Sequence, residues 1–268
     1  MAKTAAVAAA GTTTAKKAPF INRKTKAEEN MLKTILFDLD GTLLPMDLQH
    51  FLTNYFGRLT KSCAHVLDPQ VLHKNIWAST EAMIRDNRPD KTNQAVFMED
   101  FVPRFNLSAD ELMPLFDNFY SGEFAELICC TTPNPMARQI CLELVSKGYQ
   151  LVLATNPIFP DVATAHRMRW AGIEDIPWAL VTTYEHCHYC KPNPNYYKEI
   201  LEKVGATPEQ SLMVGNDTRE DLVAGKLGIK TFLVTDNLIN HGDSSYDADF
   251  EGRLEDFMEF AKKLPKVK

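Results

Sequence analysis

Apolar residues in this chain follow two alternating rhythms. ILF at 35–37, QLVLA at 150–154, WALVTT at 178–183, SLMVG at 211–215 and KTFLVTD at 230–236 are short, largely apolar runs. Such runs read as strands covered on both faces, which show little polar alternation. Between them the spacing changes to that of amphipathic helices. NPMARQICLELVSKG (134–148) opens on Asn-Pro, puts Ile140, Cys141, Leu144 and Val145 on one stripe and stops at Gly148. A second helix is expected over 160–171, ending at Gly172, and a third in NPNYYKEILEKVG (193–205). A fourth should join the last two strands. Strands alternating with helices predict an α/β fold with a doubly wound parallel sheet.

Residues 46–132 interrupt this rhythm with almost no strand pattern. Leu48, Phe51, Leu52, Tyr55, Phe56 and Leu59 keep helical spacing, Asp68-Pro69 opens another helix, and SADE at 108–111 is a capping box ahead of Leu112, Leu115 and Phe116. The expected organisation is an α/β core from 31–45 and 133–268, with an all-helical cap domain, 46–132, inserted after the first strand. Residues 1–30 are rich in Ala, Thr and Lys and carry little apolar patterning, so a disordered extension ahead of a natural start at Met31 is expected.

Charge narrows the partners. Six Lys/Arg and two Glu fall in residues 1–30, leaving 23 basic against 33 acidic groups from Met31 onward. A body near −10 disfavours nucleic acid. No run approaches the roughly 18 apolar residues of a membrane span. Six cysteines in 268 residues do not form a disulfide framework, and Cys63, Cys129, Cys130 and Cys141 sit in neighbourhoods that suit buried small hydrophobes. A reducing, cytoplasmic setting follows from that reading. Oligomeric state leaves no signature.

Four polar clusters fall where the strands end: Asp38 with Asp40, Thr155 with Asn156, Lys191, and Asp217 with Glu220 and Asp221. Carboxyl ends of parallel strands open onto one crevice, so these distant positions can converge. Several carboxylates together call for a cation, and oxygen-only ligands select a hard ion such as Mg²⁺. A hydroxyl, backbone amides and an ammonium suit phosphoryl oxygens. Each cluster also has a plain reading: turn acids before Gly41, a capped turn at Thr155-Asn156-Pro157, a solvated lysine, acids at a helix N-terminus. Two acids directly behind a buried strand carry a desolvation cost that a plain turn does not explain.

FDLDGTLL, LATN, CKPNP and VGNDTRED, in that order, resemble the four motifs of the haloacid dehalogenase-like hydrolases, over Thr34 to about Asp236. The resemblance implies a Rossmann-like core and an Mg²⁺-dependent phosphatase acting on a small phosphorylated metabolite. It implies Asp38 as nucleophile forming an aspartyl-phosphate and Asp40 as general acid and base. It also implies Thr155 and Asn156 as phosphoryl ligands and Lys191 as the balancing charge. Mg²⁺ would lie on Asp38, the Asp40 carbonyl and Asp217, with Asp221, preferred here to Glu220, in an outer shell. Asp40 argues for phosphate esters, since the family's dehalogenases and phosphonate-cleaving members replace it. A phosphomutase, or a silent binding protein of the same fold, would share these residues.

EHCHYCKPNP (185–194) holds a C-x-x-C pair, Cys187 and Cys190, with His186 and His188. A structural zinc site needs four ligands, and only one such pair is present. The segment reads instead as a loop delivering Lys191. In the helical insert Trp77, Arg85 and Arg88 are conceivable substrate contacts, but none is assigned, because aromatic stripes at helical spacing are usually core.

Overall fold

Each apolar run forms a strand, with bounds that differ from the run by no more than two residues. The computed structural model describes residues 21–22, 32–242 and 245–267. Its strands are β1 (Ile21–Asn22), β2 (Thr34–Phe37), β3 (Gln150–Leu153), β4 (Trp178–Val181), β5 (Ser211–Gly215), β6 (Lys230–Val234) and β7 (Phe250–Gly252). They make one sheet in the order β1-β7-β6-β5-β2-β3-β4, with β1 antiparallel to β7 and every other pair parallel. Strand β7 was not legible in the sequence, because three residues with a central Glu251 are too few to show a period. Of the expected extension only β1 is described, and its backbone joins the sheet edge. The rest of that expectation lies outside the described residues.

Side chains alternate across the sheet, and two packed layers result. Ile35 and Phe37 face a cluster with Ile140, Leu144, Phe257 and Phe260. These come from α5 (Pro135–Ser146) and α8 (Leu254–Lys263). Leu36 faces the other way, with Tyr196, Ile200 and Leu201 of α7 (Pro194–Val204). Asn134 and Asn193 cap α5 and α7 as their Asn-Pro openings predict, each accepting a backbone N–H two residues on at 3.0 Å. Fully buried Phe37 carries much of this core, and its truncation to alanine is expected to cost about 3–5 kcal/mol.

The helical stretch contains α1 (Leu48–Cys63), α2 (Pro69–Arg85), α3 (Asn93–Phe101) and α4 (Ala109–Ser121), then a 3₁₀ run over Glu123–Cys130. The capping box forms as read: the Ser108 amide donates to Glu111 Oε2 at 2.8 Å. This stretch packs against the carboxyl edge of the sheet, where Asn93 Nδ2 donates to the carbonyls of Pro157 and Tyr189. Helix α6 (Asp161–Trp170) lies beside it.

Two expectations change. The helix expected between the last two strands is a 3₁₀ run, Leu222–Leu227, preceded by turns. The Asp217 carboxylate accepts the amides of Arg219 and Glu220, as a helix-capping side chain does, but the chain beyond it winds into the tighter 3₁₀ form. Cys129 is exposed, whereas Cys63, Cys130 and Cys141 are buried.

Candidate active site

The register aligns three strand ends. Phe37 pairs with Leu153 of β3 on one side and Val214 of β5 on the other. Asp38, Thr155 and Asp217 therefore emerge side by side at one edge. Asp38 continues the Leu36 face, toward α7, whose preceding loop supplies Lys191 through a cis Lys191–Pro192 bond.

Lys191 is fully buried, and its Nζ donates to Asp38 Oδ1 at 2.8 Å and to Asp221 Oδ1 at 2.7 Å. Burial alone would drive its ammonium to lose the proton. Asp221 and Asp38 outweigh that and hold its pKa well above the usual lysine value. Burial pushes the Asp38 carboxyl up to about 7, with Lys191 opposing and the charges of Asp221 and Asp40 adding to the rise. Among the described residues Asp38 Oδ2 is held only by the Thr42 hydroxyl, at 3.3 Å, and that hydroxyl's single proton is shared with Asn216 Oδ1 at 3.1 Å.

Asp40 diverges from Asp38. The strand ends at Phe37, so period-two alternation no longer governs residue 40. Asp40 Oδ2 pairs with the guanidinium of Arg167 on α6, while its Oδ1 is buried with no hydrogen-bond partner among the described residues. Arg167 is itself fully buried, donates to Thr164 Oγ1 at 3.1 Å and lies 4.7 Å from the centre of the Phe159 ring.

Thr155 is buried, its carbonyl accepting from the Thr182 hydroxyl at 2.7 Å and the Tyr196 hydroxyl at 2.9 Å. Asn156 bridges two clusters: Oδ1 accepts from the Lys191 amide at 3.1 Å and Nδ2 donates to Glu220 Oε2 at 3.0 Å. Burial, with Asp217, Asp221 and Asp38 adding, pushes the Glu220 carboxyl up to about 8 against the pull of Lys191.

The last cluster separates its two aspartates. Asp221 is 1% exposed, with Oδ1 on Lys191 and Oδ2 accepting the Asp217 amide at 2.9 Å. Both oxygens accept hydrogen bonds, so Asp221 shapes the turn and fixes the lysine. Asp217 faces His241, whose Nε2 lies 2.9 Å from both carboxylate oxygens.

Among the described residues no three His, Cys, Asp or Glu side chains close on a single cation position. The donor chemistry nevertheless fits a hard cation. Asp38 and Asp221 share one ammonium, and burial, with the charges of Asp221 and Asp40 adding, raises the Asp38 carboxyl in spite of it. Asp38 and Asp217 would hold the ion once Asp217 exchanges the His241 nitrogen for it.

The C-x-x-C segment is packing. Burial pushes the Cys187 thiol up to about 12 and Cys190 well above its usual value, so neither is a reactive thiolate. His188 Nδ1 is engaged by Glu199 at 2.7 Å, and the Cys187 carbonyl accepts the Asn93 amide at 2.7 Å. Arg85 and Arg88 are exposed and paired with Glu81 and with Asp86 and Glu99.

The sequence reading missed Thr42, Arg167, Asn216 and His241. Arg167 carried a signal: it shares the buried stripe of α6 with Ala163, Thr164, Met168 and Trp170, an odd place for a lone arginine. His241 sits in an irregular loop with no pattern to mark it.

A family model described as "haloacid dehalogenase-like hydrolase" matches residues 32–238. A glyceraldehyde 3-phosphate phosphatase of Methanothermobacter thermautotrophicus is 26% identical over 221 residues, 78% of this chain and 88% of its own. A phosphoglycolate phosphatase of Vibrio cholerae is 28% identical over 227 residues, 81% of this chain and 90% of its own. Among solved structures, a HAD phosphatase from Thermococcus onnurineus aligns with a TM-score of 0.53 at 18% identity, covering 88% of this chain and all of its own, a likeness of fold. With the aligned strand ends carrying Asp38, Thr155 and Asp217 and the loop before α7 carrying Lys191, this match establishes that the chain belongs to the haloacid dehalogenase-like hydrolases.

Proposed function

We propose that this protein is an Mg²⁺-dependent phosphatase that hydrolyses a small phosphate monoester through a phosphorylated Asp38. The observation that carries the reading is the buried Lys191 ammonium clamped on Asp38 at the aligned strand ends, with the unpartnered Asp40 Oδ1 in the same site. A bound Mg²⁺ on Asp38, the Asp40 carbonyl and Asp217 would neutralise the phosphoryl charge and let a carboxylate approach it.

The chain's own residues account for the rest. Lys191 holds Oδ1 and leaves Oδ2, the more weakly held oxygen, to attack phosphorus. The ester P–O bond breaks as Asp40 gives its proton to the leaving oxygen, which departs as an alcohol. Asp40 then takes a proton from water, the water oxygen bonds to phosphorus, and the bond to Asp38 breaks to release inorganic phosphate. Thr155 and the Asn156 amide would receive the phosphoryl oxygens, and Asn156 Oδ1 fixes the loop bearing Lys191. Asp221 keeps that lysine aimed.

Naming of relatives as phosphatases favours hydrolysis over phosphoryl shuttling within one substrate. Incubation of the full chain with a panel of phosphorylated metabolites and Mg²⁺ decides: free phosphate is the expected product. Isomerised substrate with no phosphate released would assign a mutase, and no turnover of any ester would leave a binding protein.

A further inference from the structure

An aromatic cavity of about 370 Å³ lies between the helical stretch and the loops that follow β3 and β4. Helices α1 to α4 wall one side, and residues 158–162 and 184–185 the other. Tyr55, Phe56, Phe101, Phe116, Tyr120 and Phe159 contribute rings. Its charged lining residues are Asp117, Asp161 and Glu185, all acidic, and among the described residues no Lys, Arg or His lines it. Small-molecule sites have this size and this apolar lining.

Asp38, Asp40 and Thr155 do not line the cavity, but two features join it to them. Its floor begins at Ile158, three residues beyond Thr155, which limits the separation along the chain to about 11 Å. Leu52 lines both the cavity and the open cleft that contains Asp40, Gly41 and Met46. That shared wall sets the cavity beside the cleft in which an ester oxygen at Asp40 would lie.

We propose that the cavity receives the leaving-group portion of the substrate, and that this portion is an apolar, ring-bearing alcohol without a second negative charge. The assignment rests on the phosphatase reading above. A ring buried here gains apolar contact on every side. A carboxylate or second phosphate would enter a space whose charged lining residues are all carboxylates, and the Arg167 guanidinium behind the Phe159 ring is already paired with Asp40. The broken bond is the ester P–O, the proton from Asp40 goes to the alcohol oxygen, and the neutral alcohol leaves.

The test uses the full chain with Mg²⁺ and three esters: 2-phenylethyl phosphate, ethyl phosphate and 2-phosphoglycolate. We expect kcat/KM for the phenylethyl ester to exceed the other two by roughly 10- to 100-fold, as burial of one ring implies. Met113→Trp fills the cavity from α4 and Thr80→Phe fills it from α2; either, once thermal unfolding shows it folded, should bring the phenylethyl-to-ethyl ratio close to one. Similar kcat/KM for all three esters, a preference for phosphoglycolate, or a ring preference that survives both substitutions overturns the cavity assignment while the phosphatase reading stands. Absence of phosphate release from every ester overturns both.

Discussion

Replacing Lys191 with methionine isolates the interaction at the centre of the site. Wild-type Nζ lies 2.8 Å from Asp38 and 2.7 Å from Asp221, all three groups within a tenth of full burial. Methionine keeps the bulk of the stem and leaves both carboxylates without a counter-charge. Removing one partner of a buried ion pair costs about 3–5 kcal/mol. For a folded body of this size each kcal/mol moves Tm by about 2–4 °C, so a fall of roughly 6–20 °C is expected near pH 7.5. The loss should depend on pH in a defined direction. Asp38 already titrates at about 7 in the folded protein, above its ordinary value of 3.8, and loss of the ammonium raises it further. A carboxyl whose folded pKa is raised adds no penalty below its unfolded pKa and a growing one as pH rises toward the folded value. The variant's deficit is therefore smaller at pH 5 than at pH 7.5. Differential scanning calorimetry in EDTA, which prevents a metal from substituting for the lysine charge, measures both. An equal Tm for variant and wild type at pH 7.5, or a deficit of the same size at pH 5, would refute the view that Lys191 neutralises Asp38 and Asp221.

Gly215→Ala should disturb the same cluster from beneath, because a Cβ on β5 would overlap the Asp221 carboxyl group. A cost of about 1–3 kcal/mol in chemical denaturation and a fall in kcat are expected. Gly57→Ala in α1, where a Cβ meets nothing within 4 Å, should be neutral or stabilising by about 0.5–1 kcal/mol. Asp38→Asn should abolish phosphate release while the protein stays folded, as the near-ultraviolet dichroism would report. Because protons and cations compete for a carboxyl titrating near 7, Mg²⁺ binding measured by calorimetry should weaken as pH falls below about 7, and affinity constant from pH 5.5 to 8 would count against Asp38 as a ligand.

Most of the core was legible because its signals are local. Apolar runs fix the central strands, and Asn134, Asn193, Gly148 and Gly205 mark helix ends through their own side chains or left-handed backbone. The motif positions converge because strand register is set by the same runs: Phe37 opposite Leu153 and Val214 leaves their successors side by side. What the sequence could not show are partnerships made across distance. Asp40 and Arg167 are 127 residues apart, and Asp217 and His241 meet only through a loop closing over the edge. The surroundings of Asp221 were hidden for a related reason. Spacing put it near Asp217, but only the fold reveals that Lys191 and a backbone amide already occupy both oxygens.

The central claim is that the phosphoryl group passes through Asp38. Enzyme quenched in acid during turnover of a phosphate monoester with Mg²⁺, then reduced with borohydride and mapped by peptide mass spectrometry, reads that directly, because reduction converts only an acyl phosphate to an alcohol. The account predicts reduction at Asp38, dependent on substrate and lost in Asp38→Asn. Reduction at another carboxylate would contradict it.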